Sequence, residues 1–103
     1  MSNTTITEKD GQTMVQPAGD VTASSAPELR TALKGAIAAG ARKLTVDFSN
    51  VQMLDSAGIG LLIAAHNSLA KVSGELSVVH ASQEIMDLLQ MMRIHQHFSV
   101  SGE

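Results

Sequence analysis

No cysteine, tryptophan or tyrosine occurs among the 103 residues, and phenylalanine appears only at Phe48 and Phe98. The missing cysteine excludes disulfides, thiolate nucleophiles and thiolate metal sites, and it suits a reducing cytosol. The missing aromatics leave no platform for stacking on bases or sugars, so the core has to be aliphatic and filled out by methionine. Basic charge is scarce too. Seven Lys and Arg against ten Asp and Glu give a net charge of −3, with no basic stripe to neutralise a run of phosphates, which argues against nucleic acid as a partner. The longest apolar stretch, Ile59 to Ala65, is far short of the roughly 20 residues that cross a bilayer, so no membrane insertion is expected. The opening Met1-Ser2-Asn3-Thr4-Thr5 lacks the basic and apolar regions of a secretory signal, and the expected location is the cytoplasm.

What is present suits one compact unit. With 44% hydrophobic residues and no internal repeat, the chain reads as a single domain over residues 1–103, its core running from about 4 to 100. Two runs rich in β-branched residues, Thr4 to Glu8 and Thr13 to Gln16, flank Asp10-Gly11, a dipeptide suited to a tight hairpin turn. Pro17 cannot donate to a ladder, so the second strand is predicted to be an edge or irregular near its end. Ser25 and Glu28 have the spacing of a capping box, with Pro27 tolerated in the first turn. The helix they open buries Leu29, Ala32, Leu33, Ala36 and Ile37, and Gly40 stops it.

Lys43 to Phe48 alternates, with Leu44, Val46 and Phe48 on one face and Thr45 and Asp47 on the other. A second helix carries Ile59, Leu62, Ile63, His66 and Leu69 on one side and runs toward Val72 and a stop at Gly74. Leu76 to His80 reads as a strand, Ser82 caps a last helix with Ile85, Leu88, Leu89 and Met92 inward, and Phe98-Ser99-Val100 adds a short terminal strand. The order predicts an α/β fold. Its central sheet is mixed, an N-terminal hairpin followed by parallel β-α-β units, and three to four helices cover it.

The stretch Asp55-Ser56-Ala57-Gly58-Ile59-Gly60 lies between strand and helix and carries the chemistry. The amides at a helix start lack internal partners and present roughly half a positive charge, so an anion on Ser56 is well placed. Catalytic readings fail on spacing. Leu54 stands where a nucleophile elbow needs glycine, no Gly-Lys-Ser or Gly-Lys-Thr phosphate loop exists, and Ile63 breaks the dinucleotide fingerprint begun by Gly58-Ile59-Gly60. His66 reads as a core histidine, His80 as surface, and the pair His95 and His97 lacks an upstream ligand set, so no metal and no other cofactor is expected. A plainer reading carries more weight on the residues alone: Asp55 caps the helix, Ser56 is solvated, and Gly58 and Gly60 allow close packing.

The motif Met53-Leu54-Asp55-Ser56-Ala57-Gly58-Ile59-Gly60-Leu61 resembles the Asp-Ser-Ser/Thr-Gly-Leu-Gly signature of the STAS domain family, named for sulfate transporters and anti-sigma-factor antagonists. Lys43 to Val51 resembles the strand before that signature, and Gly19-Asp20-Val21-Thr22 the family's Gly-Glu-Leu-Asp segment. The likeness spans about Thr4 to Val100 and implies a STAS-like single domain that is not an enzyme. It also implies phosphorylation of Ser56 by a partner that is both serine kinase and anti-sigma factor. The unphosphorylated antagonist binds that partner and frees a sigma factor; phosphorylation releases it, and a metal-dependent serine phosphatase restores it. Asp20, Thr22, Ser24, Asp55, Ser56, Ala57, Gly58, Ile59 and Gly60 are the partner-binding residues so implied. Ala57 replaces the family's second hydroxyl residue and Thr22 its Asp, with Asp20 available to supply acidic charge instead. The alternative is a scaffold or regulator in a chemosensory, biofilm or lipid-transport complex that acts on no sigma factor.

Overall fold

The computed structural model describes residues 4–93 and 98–103. The chain runs β1 (Thr5–Lys9), β2 (Gln12–Gln16), α1 (Ala26–Ala38), β3 (Lys43–Asp47), α2 (Ser56–Ala70), β4 (Glu75–Val79), α3 (Gln83–Met91) and β5 (Ser99–Val100). The five strands form one sheet in sequence order, β1 antiparallel to β2 and every later neighbour parallel. The expected mixed α/β sheet is what forms, with three helices among the described residues. The pair His95 and His97 lies outside the described residues.

The hairpin turns on Asp10 and Gly11, both at positive φ, 53° and 78°. That is the geometry of a primed turn, whose twist matches that of the strands it joins. Val15, Val46 and Val78 then stand side by side in register, as do Leu44 and Leu76, and all five are buried. Alternation puts Met14, Thr45, Ser77 and Ser99 in the next row, on the opposite and more polar face. Leu29 and Leu33 of α1, Leu62 and Leu69 of α2, and Ile85 and Leu89 of α3 join the same core. Each such leucine, removed from water, stabilises the fold by about 1.5–3 kcal/mol before the entropy cost of ordering it.

Several local expectations are corrected. Strand β2 is not at the edge, because β1 covers one side of it and β3 the other. Pro17, buried, sits just past Gln16 and ends the strand where no further amide is needed. Asp47 is only 8% exposed, because its carboxylate turns onto the Ser49 amide (2.9 Å), the Ser49 hydroxyl and the Gln16 carboxamide (3.3 Å).

The box at Ser25 does not form, since that hydroxyl makes no side-chain cap bond to α1. Gly40 does stop α1. At φ +108° its amide donates to Ile37, and that of Ala41 to Ala36, the paired bonds of a Schellman close. The stop after α2 falls one residue earlier than expected. Ser73 adopts φ +61°, while Gly74 is required for closeness: a Cβ there would lie 2.7 Å from the Arg42 carbonyl oxygen.

The inward stripe of α2 is Gly58, Ile59, Leu62, Ala65 and Leu69. Ile63 and His66 flank it half-buried, and the His66 ring meets that of Phe98 at 5.8 Å. Met92, predicted inward, is 51% exposed because α3 ends at Met91. His80 is exposed, just past the end of β4.

Candidate functional site

Two loops meet where α1 and α2 begin. Residues 20–25 enter α1 and residues 52–55 enter α2, and an isolated parallel bridge between Val21 and Leu54 joins them. Its bonds run from the Val21 amide to the Met53 carbonyl (3.0 Å) and from the Asp55 amide to the Val21 carbonyl (3.2 Å). Carboxylates extend the join on both sides. Asp20 Oδ1 accepts from the amides of Gln52 (2.9 Å) and Met53 (3.1 Å), while Asp55 Oδ2 accepts from that of Ala23 (2.9 Å).

Asp55 is also the N-cap of α2, its Oδ1 accepting from the Gly58 amide at 3.1 Å. The Gly58 hydrogen bond is the chief reason its carboxyl is held below the ordinary range; partial desolvation opposes this and the Ala23 amide adds to it. A carboxylate so stabilised is a weak base, and both its oxygens are already accepting. It is therefore not placed to activate the neighbouring hydroxyl.

Ser56 is the first residue of α2 and is exposed. Ala57 is half-buried and Gly60 exposed, so these three with Asp55 form the surface of the predicted motif. Gly58 and Ile59 do not reach that surface. Both are buried, and the reason for glycine at 58 is steric. A Cβ there would lie 2.5 Å from Leu54 Cδ1, 2.8 Å from Val21 Cγ1 and 2.9 Å from the Val21 carbonyl oxygen. At Gly60 nothing lies within 4 Å of such an atom, so the fold leaves that position free.

On the facing loop, Asp20 and Ser24 are exposed and Thr22 is half-buried. The Thr22 and Ser24 hydroxyls share a hydrogen bond of 3.1 Å. The Ser25 hydroxyl donates to the Asp20 carbonyl (2.7 Å) and accepts from the Thr22 amide (3.0 Å), bracing the loop instead of the helix. Beside this surface a groove runs between α1 and α2, lined in part by Ala23, Ala26, Pro27, Arg30, Ala57 and Gly60. Sequence reasoning missed Arg30, Ala26 and Pro27 as neighbours of the motif, and it missed the amides of Ala23, Gln52 and Met53. Arg30 and Pro27 looked like ordinary helix residues, and backbone amides carry no sequence signal. No group of three or more His, Cys, Asp and Glu suited to a metal ion occurs among the described residues, and no helix among them is long and apolar enough to cross a membrane.

The arrangement is that of a small α/β domain presenting a serine at a helix start, and comparison with known proteins says which kind. Residues 4–100 match the family model described as "Mlab, STAS domain", and the chain belongs to the STAS domain family. An anti-sigma factor antagonist from Mycobacterium paratuberculosis is 25% identical, with a TM-score of 0.87 over 97% of this chain and 85% of that one. An anti-sigma-factor antagonist (STAS) domain protein from Planctomyces limnophilus superposes with a TM-score of 0.84 at 14% identity, over 97% of this chain and 89% of that one. The Bacillus cell fate determinant SpoIIAA in its phosphorylated form gives 0.74 at 17% identity, covering 94% and 89%. Its unphosphorylated form, named there an anti-sigma factor antagonist, gives 0.73 at 18%, covering 97% and 87%.

Proposed function

We propose that this chain is an anti-sigma-factor antagonist that works by partner switching in the cytoplasm. When unphosphorylated, it binds a protein that is both serine kinase and anti-sigma factor, through Asp55, Ser56, Ala57 and Gly60 and through the facing loop at Thr22 and Ser24. Phosphorylation of Ser56 ends the complex, and a metal-dependent serine phosphatase renews it. The observation that carries this reading is the exposed Ser56 as the first residue of α2, directly after a cap whose oxygens are occupied. Its hydroxyl is open to another protein and has no base from Asp55, so the domain acts by being recognised and not by catalysis.

The switch is electrostatic. A phosphate adds about −1.5 to −2 charge beside the ionised Asp55, and against an acidic or apolar partner surface repulsion and desolvation oppose docking. A penalty of roughly 3 kcal/mol weakens affinity about a hundredfold. That SpoIIAA exists in a phosphorylated and an unphosphorylated form supports the same chemistry on this fold. Incubation with the cognate kinase and ATP, followed by intact-mass measurement, tests the site: Ser56→Ala stays unmodified and keeps partner binding, while Ser56→Asp binds more weakly. A phosphate still acquired by Ser56→Ala removes the assignment.

A second reading draws on the family model, whose description names Mlab beside the STAS domain. In it the same surface docks into a chemosensory, biofilm or lipid-transport assembly. Adjacent genes for an anti-sigma kinase and a serine phosphatase favour the first reading; transporter or chemoreceptor genes favour the second.

A further inference from the structure

We propose that Asp20 is a positioning residue for the phosphoacceptor, holding the backbone before Asp55 and Ser56 in place, and that its charge is not what the partner reads. The proposal rests on the reading of Ser56 given above. Asp20 looks like a surface acid offered to a partner, yet one of its oxygens takes two amides from the opposite loop, Gln52 at 2.9 Å and Met53 at 3.1 Å. Those two residues directly precede Leu54, whose bridge to Val21 sets the path of the chain into Asp55. Asp20 is itself held, because its carbonyl accepts the Ser25 hydroxyl at 2.7 Å from the start of α1. The lacing is therefore reciprocal. A carboxylate from the first loop anchors the second, and Asp55 from the second anchors Ala23 in the first.

A single acceptor oxygen does not have to belong to a carboxylate. An asparagine side chain presents an equivalent Oδ1 to the same two amides and differs only in charge and in its outward amide group. A partner contact that reads charge would distinguish Asp from Asn, whereas a role in holding the loop distinguishes both from Ala. Magnitudes separate this role from a general one in stability. Gln52 and Met53 are exposed, so water replaces the lost acceptor and the global cost is small, while the local order of residues 52–56 falls.

The test compares wild type, Asp20→Asn and Asp20→Ala in two measurements. Amide hydrogen exchange on the chain alone is expected to quicken about tenfold at Gln52 and Met53 in Asp20→Ala and to stay within about twofold in Asp20→Asn, with the melting temperature nearly unchanged in both. With the cognate kinase and ATP, the initial rate at Ser56 is expected to drop about tenfold in Asp20→Ala and to be retained in Asp20→Asn, the size of effect that loss of one ordering contact gives. Unchanged exchange in Asp20→Ala overturns the proposal, as does a loss of phosphorylation in Asp20→Asn equal to that in Asp20→Ala. If wild type takes no phosphate at all, the reading of Ser56 fails, and the exchange data still decide whether Asp20 holds the loop.

Discussion

Helices α2 and α3 begin alike. Each follows a short polar residue in extended backbone, and each cap accepts from the amide three residues on: Asp55 from Gly58 at 3.1 Å, Ser82 from Ile85 at 3.2 Å. The Ser82 bond stays inside its own turn. Asp55, having a second oxygen, also takes the Ala23 amide from 32 residues away. A hydroxyl offers one oxygen to its surroundings and a carboxylate two, so Asp55 can cap its own turn with one oxygen and cross-link the two loops with the other. The difference between a helix that merely starts and a helix start tied into a surface lies in that extra atom.

The sharpest way to break the contrast is Gly58→Ala. The new Cβ meets the Val21 carbonyl oxygen at 2.9 Å as well as two side chains, and a backbone atom inside a bridge has little room to move. A loss of about 1–3 kcal/mol is expected, read as a fall in the denaturation midpoint. A midpoint equal to wild type would show that the two loops are not packed as described.

Next in size is Asp55→Ala, which removes the acceptor for both Gly58 and Ala23 and is expected to cost more than Ser82→Ala, itself worth about 1 kcal/mol. The two differ in pH dependence. Because Asp55 is held below the ordinary carboxylate range in the folded chain, its stabilisation is complete above that range and is lost as pH falls through the lowered value. The gap between wild type and Asp55→Ala is thus full at neutral pH and shrinks in acid, while the gap for Ser82→Ala stays level. Parallel profiles from urea titrations at several pH values would contradict the amide bonding assigned to Asp55.

The smallest effect is Gly60→Ala. Nothing stands within 4 Å of the added atom, and a helical alanine is favoured over glycine, so a gain of about 0.5–1 kcal/mol is expected in thermal unfolding. Two glycines two residues apart then move stability in opposite directions. Weaker partner binding by this more stable variant would place Gly60 in the docking surface without any appeal to folding.

Much of this was legible beforehand, for identifiable reasons. The Asp10-Gly11 turn, the Ser82 cap, the Gly40 stop and the apolar stripes apart from Met92 are rules acting within a few residues, and they held. Position 25 failed because a serine hydroxyl before a helix has two kinds of partner within reach, and here the loop took it. The burial of Asp47 was not legible, because alternation assigns a face but does not show that Ser49 and Gln16 will fold over it. Two glycines were misread in opposite ways: Gly74, taken as a helix stop, serves close contact with the Arg42 carbonyl, and Gly60, taken as a packing residue, has open space. The motif marked Ser56, but its setting depends on which loops meet. That is decided by the sheet's order and not by any local pattern.

The bridge between Val21 and Leu54 has a bearing on what counts as a substrate. A synthetic peptide copied from residues 50–62 would carry every letter of the motif and none of its shape, because Asp20, Val21 and Ala23 lie outside it. On the function proposed above, a kinase that recognises the laced surface would leave such a peptide unmodified and reserve its phosphate for chains that have finished folding.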